Sequence, residues 1–292
     1  MPFLKAAARP WRATDFNYSR VAPPQFDADL LYILRTTALV ESRADQYGDY
    51  LRAVFATRGA AWREAIDSWN REEAEHGRAL RRLCETAGAP FAFDRHMRAY
   101  LDGVAYHDCD GRSVRGSVAG ELVARCIVEA LASTFYRVLR DSCHDATGRA
   151  VLHTLALDEA RHYGMFHAML QAETAQSPLS RWRRLRVGLG RMLELSDDQI
   201  MFAAWLVDAD APPRYRRVQT ARRYQAALYH RYRFEHLYFA ARLICPVLFG
   251  SRSDALGRLF AAGLWLGLRV RAGLSRLGAR AARQDVPQAR HC

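Results

Sequence analysis

Several features that assign a sequence to a common protein class are missing from this one. Its six cysteines are scattered and none forms a Cys-x-x-Cys pair, which excludes the common zinc spacings and a rubredoxin-like iron site within this chain. Scattered free thiols, with an N-terminus that lacks an apolar segment of the secretion-signal type, predict a reduced cytoplasmic protein. No run of alternating β-branched residues is long enough for a strand, and no Asn-Gly or Asp-Gly turn joins two such runs. The sequence therefore predicts an all-α fold.

Long apolar runs are also lacking. The longest one, 259–268, reads LFAAGLWLGL and is too short to cross a bilayer. Arginines flank it, so this segment can either lie on a membrane surface or pack against the rest of the protein, and packing is the favoured interpretation. Positive charge, by contrast, is in excess: the net charge is +12, and Lys5 is the only lysine among 43 basic residues. This charge indicates an anionic partner, which is nucleic acid, acidic lipid or an acidic protein.

Proline, glycine and aspartate divide the chain into helical segments. Four long predicted helices cover 27–56, 60–86, 114–143 and 148–175, with an irregular connection over 89–112. Shorter predicted helices follow at 179–195, 197–207, 214–243 and 253–284. We therefore expect an N-terminal extension (1–26), a four-helix bundle (27–175) and an arginine-rich helical C-terminal section (176–292) that packs on the bundle.

The four long helices contain an internal repeat. Three pairs of residues recur at nearly constant spacing, which is 88 residues between Glu41 and Glu129, 86 between Glu73 and Glu159, and 86 between His76 and His162. Each repeating unit is a pair of helices. Such a repeat predicts a four-helix bundle with pseudo-twofold symmetry.

Each repeat carries a Glu-x-x-His motif and one glutamate near the middle of the preceding helix. Residues three apart lie on one face of a helix, so each motif directs a carboxylate and an imidazole toward the same point. Two metal ions in a bundle core need such a motif from two helices and a glutamate from each of the other two. The predicted metal ligands are Glu41, Glu73, His76, Glu129, Glu159 and His162. Four carboxylates balance two divalent ions, and donors without thiolates suit iron, with manganese as the alternative.

Further residues are predicted to surround these ligands. Glu72 and Asp158 precede the two histidines by four residues, about one helical turn, and a histidine that binds a metal usually donates its other N–H to a carboxylate. We assign that role to both acids and place Trp69 beside them. Glu121 competes with Glu129 for the position on the third helix, but it breaks the spacing of the repeat.

Two strings of residues carry a family resemblance. They are W-x-x-E-E-x-x-H-G over 69–77 and D-E-x-R-H over 158–162. Both resemble the ferritin-like di-iron carboxylate superfamily, and within it the acyl-acyl carrier protein desaturases more than the ferritins or rubrerythrins. The likeness covers roughly 27–175 and implies that the six predicted ligands hold iron. Two departures stand out: Ala132 occupies the place of a threonine of the desaturases, and the C-terminal section does not follow their pattern.

The resemblance implies an oxygen-dependent oxidoreductase that acts on an unactivated C–H bond with two iron ions. The favoured reaction is desaturation or hydroxylation of a fatty acyl chain on acyl carrier protein, because that carrier is acidic and this protein is basic. Electrons would come from a separate ferredoxin or reductase, since no flavin or nicotinamide fingerprint occurs. A homodimer and peripheral membrane contact stay open. Candidate residues for an apolar cavity beside the metals are Tyr47, Trp69, Phe135, Tyr136 and Phe166, although such residues are more often ordinary core.

Three other interpretations fit the same residues. A hydroxylase of a different substrate, such as a modified tRNA base, would use the positive charge for phosphate contacts. A ferroxidase or rubrerythrin-like protein would handle iron or peroxide, but those domains end soon after the fourth helix. A metal-free helical adaptor would require the six predicted ligands to face solvent or to pair with arginines.

Overall fold

The computed structural model describes residues 10–88, 90–104, 111–194 and 198–284, with side chains described as far as residue 273. Within these ranges the protein contains eleven α-helices, short 3-10 turns and no β-strand, which confirms the predicted all-α fold. The helices are α1 (Ala28–Glu41), α2 (Ala44–Val54), α3 (Ala60–Thr86), α4 (Phe93–Gly103), α5 (Val118–Ser142), α6 (Ala146–Gln176), α7 (Arg181–Leu193), α8 (Asp198–Val207), α9 (Arg217–Leu228), α10 (Phe234–Phe249) and α11 (Asp254–Gln284).

The first predicted helix, 27–56, is in fact two helices. α1 ends at Glu41, and α2 begins at Ala44. The break lies against Gly77 of α3, where an added Cβ atom would lie 2.9 Å from the Ser42 Oγ and 3.1 Å from the Ser42 Cα. Glycine at this position therefore allows the chain to pass close to α3 directly after Glu41, and a continuous helix was the wrong prediction.

The other long helices lie close to their predicted positions. α3 has the predicted bounds, while α5 and α6 differ from theirs by a few residues at most. Asp145 caps α6, because its carboxylate accepts a hydrogen bond from the backbone N–H of Gly148 at 2.7 Å. α5 packs along α6, and α3 packs on α6 as well as on α1 and α2. These helices therefore enclose a common core.

Two apolar clusters fill this core and leave a polar layer between them. The first cluster includes Leu80, Leu139 and Leu152. The second includes Ile66 of α3 and Phe166 of α6. On each of these helices, the second cluster lies toward the end opposite to the first cluster. The glutamates and histidines of the two repeats occupy the stretches of helix between these clusters. Apolar packing therefore separates the polar layer from both ends of the bundle.

The sequence predicted an irregular connection over 89–112, between α3 and α5. Part of this connection is helical in the structure. It contains α4, whose Phe93 and Tyr100 are buried. The end of α4 packs tightly on α8, since a Cβ atom on Gly103 would lie 2.2 Å from the Phe202 ring. This helix is short, and it lies among residues that are typical of loops, which is why the sequence pattern concealed it.

The C-terminal section packs against the bundle. α7 and α10 contact α5, α8 and α9 contact α1, and α11 lies on α9 and α10. The predicted helix 214–243 is divided in two by the 3-10 turn Tyr229–Arg231. α10 ends at Phe249 and is capped by Gly250, whose φ of 67° lies in the left-handed region that favours glycine. The section therefore flanks α1 and α5, the helices that carry Glu41 and Glu129.

The described cysteines agree with the expectation of free thiols. Cys84, Cys126, Cys143 and Cys245 are buried and unpaired. Burial raises the pKa of the Cys84 thiol to about 12. In the part of the chain that the structure describes, no helix combines the length and the apolar character needed to cross a membrane.

Candidate metal centre

The structure brings the six predicted ligands together in two overlapping groups. One group is Glu41, Glu73, His76 and Glu159, and the other is Glu73, Glu129, Glu159 and His162. Within each group, one ligand atom per residue lies within 4.8 Å of the others. Glu73 and Glu159 belong to both groups, as carboxylates that bridge two ions would.

Both histidines direct the same ring atom into the cluster. The Nδ1 of His76 lies 3.3 Å from a carboxylate oxygen of Glu73 and 3.3 Å from one of Glu159. The Nδ1 of His162 lies 3.0 Å from Glu73 and 3.7 Å from Glu159. The two rings are 5.6 Å apart between centroids and nearly parallel. The imidazoles of α3 and α6 therefore converge on the same pair of glutamates.

The donor atoms of this cluster fit a pair of metal ions. The buried Nδ1 atoms of His76 and His162 and the Oε1 atom of Glu129 make no hydrogen bond. A buried polar atom without a partner is costly, and it is rare in folded proteins. The two Nδ1 atoms converge on the carboxylates of Glu73 and Glu159, and the other carboxylate oxygen of Glu129 lies 3.9 Å from the Nδ1 of His162. Cations among these groups would satisfy both imidazole nitrogens.

The other nitrogen of each histidine meets a carboxylate, but not the one the sequence predicted. The Nε2 of His76 lies 3.3 Å from Asp158, and the Nε2 of His162 lies 2.8 Å from Glu72. The expected pairs were the acid and the histidine of the same helix. The observed pairs cross between α3 and α6, because a ring whose Nδ1 points inward directs its Nε2 toward the neighbouring helix. Arg161 hydrogen-bonds to Asp158 and lies 3.0 Å from Glu72, so it holds both carboxylates.

Trp11 of the N-terminal extension covers His76, and sequence reasoning missed it. Its indole N–H donates to Asp158 at 2.6 Å, and its ring stacks on His76 with 5.9 Å between centroids and an angle of 8°. Two residues later, the backbone N–H of Ala13 donates to Glu75 of α3 at 2.8 Å. Trp11 lies outside the repeat, so no spacing or motif pointed to it.

Trp69 lies beside the cluster as predicted, in a buried position. Its ring meets the ring of His162 edge to face, with 6.4 Å between centroids. The guanidinium of Arg125 lies 5.9 Å from the Trp69 ring and 4.5 Å from that of Tyr47. Arg125 is itself buried and lies 3.9 Å from Glu129. This arginine was also missed, although it stands one helical turn before a predicted ligand.

The two glutamates outside the Glu-x-x-His motifs have different supports. Tyr136 is fully buried and donates a short hydrogen bond to Glu41. Glu129 has Arg125 nearby instead. Glu121, the rival considered for the third helix, accepts hydrogen bonds of 2.7 Å from Tyr50 and Ser113 and lies in neither donor group. The geometry thus selects Glu129, in agreement with the repeat spacing.

The electrostatics divide the cluster into groups that retain protons and groups that lose them. Burial, reinforced by neighbouring glutamates, raises the pKa values of Glu41 and Glu129 well above the usual range. Burial also raises the pKa of Glu73, but the two histidines outweigh this effect and hold that pKa well below its usual value. The pKa of Glu159 is lowered for similar reasons. Burial lowers the pKa values of His76 and His162, yet the surrounding carboxylates raise both well above normal. Without cations, protons therefore neutralise this cluster.

A cavity of about 750 Å³ begins at the glutamates. The four glutamates of the cluster line it, and neither histidine does. Of the predicted cavity residues, Tyr47, Trp69 and Phe135 line it, whereas Tyr136 and Phe166 do not, and both of these are fully buried. Most of the other lining side chains are apolar, and α7 to α11 supply many of them, among them Met192, Ile200, Leu228, Leu237, Leu264 and Leu268. The C-terminal section therefore forms much of the cavity wall.

The position that departs from the desaturase pattern also faces this cavity. Ala132 lines it. The neighbouring hydroxyls are engaged elsewhere, because Ser133 donates to the carbonyl of Ala156 at 2.7 Å and Thr134 donates to the carbonyl of Ala130 at 2.7 Å. Thr134 also lines the cavity, with its hydroxyl bonded within α5.

No protein-family model and no curated protein matches the sequence. The chemistry of the site is therefore argued from its geometry. Two donor groups that share two glutamates, open on one side to an apolar cavity, can hold a pair of ions next to a bound organic molecule.

Proposed function

We propose that the protein is an oxygen-dependent di-iron oxidoreductase of the ferritin-like type that oxidises an unactivated C–H bond of a long apolar substrate. The observation that carries this proposal is the position of the cluster at the end of a cavity of about 750 Å³. Pockets for small molecules usually measure about 300–1,000 Å³ and have mostly apolar walls. A protein that only stored iron would not need such a cavity.

Each ion would have its own ligands and two shared ones. Glu41 and His76 would hold one ion, Glu129 and His162 the other, and Glu73 and Glu159 would bridge them. Oxygen and nitrogen donors without thiolates suit iron, and manganese is the alternative. When bound, such a pair supplies the activation of dioxygen.

The protein's own residues would orient the ligands and position the substrate. Asp158 and Glu72 fix the outer nitrogens of the two histidines, so that each Nδ1 presents its lone pair to the cluster. The covered histidine side leaves the cavity as the route for a substrate. Apolar side chains in the cavity would exclude water and would hold an alkyl chain close to the glutamates.

The proposed substrate is a fatty acyl chain, with desaturation or hydroxylation as the outcome, and the mostly apolar lining of the cavity supports this choice. The positive charge of the chain predicts an acidic carrier protein as the partner that presents the substrate. The lack of a flavin or nicotinamide fingerprint predicts a separate ferredoxin or reductase as the electron donor. Arg43 and Arg271 line the cavity and would supply positive charge for the polar end of such a substrate, whereas Arg191 is paired with Glu194 at 3.0 Å.

The test compares two buried glutamates of α5. Protein loaded with ferrous iron without oxygen is expected to bind two ions per chain and to consume oxygen when it is admitted. Glu129→Gln should lose one of the two ions, because Glu129 belongs to one donor group, and should lose oxygen consumption with it, whereas Glu121→Gln should retain both ions and the reaction. Mass spectrometry of lipids from cells that express the wild type or Glu129→Gln would then identify the product.

Two results would reject the proposal. Full iron binding and oxygen consumption by Glu129→Gln would remove the metal assignment. Repeated oxidation of added ferrous iron, with no organic product formed, would indicate a ferroxidase instead.

A further inference from the structure

The sequence favoured packing of the apolar segment 259–268 against the rest of the protein, and one face of α11 does pack there. Gly257, Ala261 and Leu264 face inward, and Ala261 and Leu264 join an apolar cluster with Leu237 and Ala241 of α10. This contact accounts for only part of the apolar surface of the helix.

The opposite face of α11 is apolar as well, and it is exposed. Leu259, Leu266 and Val270 are 71%, 63% and 54% exposed. Their spacings of seven and four residues place them on one line along the helix, with Ala262 between them. On a surface helix the side opposite the core normally carries polar residues. An exposed apolar stripe of this kind marks an interaction surface.

The charge along α11 is mostly positive, and Asp254 in its first turn is the one acidic residue of the helix. Residues 255–284 contain six arginines and no acidic residue. Arg258 and Arg269 border the stripe; Arg258 pairs with Asp254 at 2.9 Å, and Arg269 lies 5.3 Å from the Trp265 ring. The excess charge of the whole chain is found in the same section, because residues 176–292 contain 21 arginines and 8 acidic residues, whereas residues 1–175 contain 22 basic and 23 acidic ones.

The same helix also forms part of the cavity wall. Gly263, Leu264, Gly267 and Leu268 line the cavity, and so does Arg271 one turn further on. Gly263 and Gly267 have no neighbouring atom within 4 Å of an added Cβ, so no side chain fills the space beside them. The exposed stripe and the cavity are therefore separated by little more than the backbone of one helix.

We infer that α11 docks the protein on an anionic phospholipid surface, from which an acyl chain passes along the helix into the cavity. A helix with an apolar face and flanking arginines lies in the plane of a bilayer interface, with its apolar side chains among the acyl chains and its guanidinium groups at the phosphates. The delivery of substrate rests on the proposed function, whereas the docking does not.

Lipid explains this surface better than an acidic carrier protein does. A carrier protein would complement the arginines but would leave Leu259, Leu266 and Val270 facing water or a polar partner. A bilayer interface offers a place to both kinds of side chain.

Flotation with lipid vesicles tests the docking on the full-length protein. Binding is expected to vesicles that contain phosphatidylglycerol, to weaken in high salt, and to be absent with phosphatidylcholine alone. Leu266→Gln should weaken binding about tenfold, and the double variant Leu259→Gln/Leu266→Gln about a hundredfold. The matched control is Leu157→Gln, since Leu157 is also an exposed leucine in the middle of a helix, 50% exposed, and it should bind as the wild type does. Circular dichroism verifies that each variant is folded.

Three results would overturn the inference. They are failure of the wild type to bind anionic vesicles, equal loss of binding in Leu157→Gln, and wild-type binding in the double variant. Binding of acidic acyl carrier protein through Leu266, or a dimer dissolved by Leu266→Gln, without any vesicle binding, would assign the stripe to a protein partner and would also overturn it.

Iron content measured on the same preparations separates the two proposals. Vesicle binding by protein that does not bind iron would support the docking and reject the proposed function. Iron binding and oxygen consumption without vesicle binding would reject the docking alone.

Discussion

The cluster has two sides that are built in different ways. On the histidine side, carboxylates held by Arg161 hydrogen-bond to both rings, and Trp11 stacks on His76. On the other side, glutamates face a largely apolar cavity whose wall includes the C-terminal section. The bundle supplies the candidate ligands, whereas the segments before and after it determine which side is closed and which is open.

The two sides meet different physical requirements. Hydrogen bonds to the outer nitrogens fix the rings of the closed side and favour the tautomer whose Nδ1 is free to bind a cation. The open side needs space beside the ions, and apolar walls provide it without competing donors. A substitution on the closed side should therefore affect metal binding, and one on the open side should affect the substrate.

The largest effect is expected where the two donor groups overlap. Glu159→Gln should abolish the binding of both iron ions, because this carboxylate belongs to both groups. Glu41→Gln should abolish the binding of only one, since Glu41 belongs to a single group. Metal analysis after gel filtration measures the difference. Equal losses in the two variants would contradict the bridging arrangement.

A large effect on the reaction alone is expected on the open side. Ala132→Leu places a larger side chain into the cavity beside the glutamates and should lower product formation about tenfold or more, with two ions still bound. The control is Ala150→Leu, at an exposed helical alanine remote from the cavity lining. Loss of iron in Ala132→Leu would show that the two sides are not separable in this way.

A smaller effect is expected on the closed side. Trp11→Phe preserves a ring over His76 but removes the hydrogen bond to Asp158. Because partners of ligating histidines contribute about tenfold to a hundredfold in metal affinity, iron affinity should fall about tenfold. Competition with a chelator measures it, with Trp182→Phe at an exposed tryptophan as the control. An unchanged iron affinity would show that the hydrogen bond from Trp11 to Asp158 does not influence the ligands.

The smallest expected effect is on stability as a function of pH. The pKa values of Glu41, Glu129, His76 and His162 are raised by folding, so their contribution to stability is present in mild acid and is lost as pH rises through the folded values. Metal-free protein should therefore melt at a temperature that falls by a few degrees from mildly acidic to alkaline pH. Protein loaded with ferrous iron or manganese without oxygen should not show this trend, because the cations replace the protons. A melting temperature of the metal-free protein that rises over this range would contradict these pKa directions.

The six candidate ligands could be predicted from the sequence because their arrangement is local. A Glu-x-x-His motif lies on one face of any α-helix, and the repeat relates two such motifs to the glutamates of the preceding helices. Gly77 belongs to the first string of the resemblance, and the structure explains this glycine by the close approach of Ser42. The resemblance to the desaturases pointed to the same turns.

The pairs around the ligands could not be predicted, because they depend on neighbouring helices. Asp158 contacts His76 of another helix, although His162 is nearer along the chain. Trp11 reaches the site from a segment with no repeat and no motif. Likewise, α4 lay hidden in a stretch with loop-like composition. Contacts between distant parts of the chain leave no periodic signal.

The sequence by itself determined the helical class of the protein and the side chains that converge in its core, because helical periodicity translates spacing directly into a shared face. Only the tertiary structure decided that the N-terminal extension covers His76, that the glutamates open onto a cavity, and that α11 lines this cavity while it exposes an apolar stripe to solvent. These features depend on how helices far apart in the chain pack together, and packing follows from shape and burial across the whole molecule.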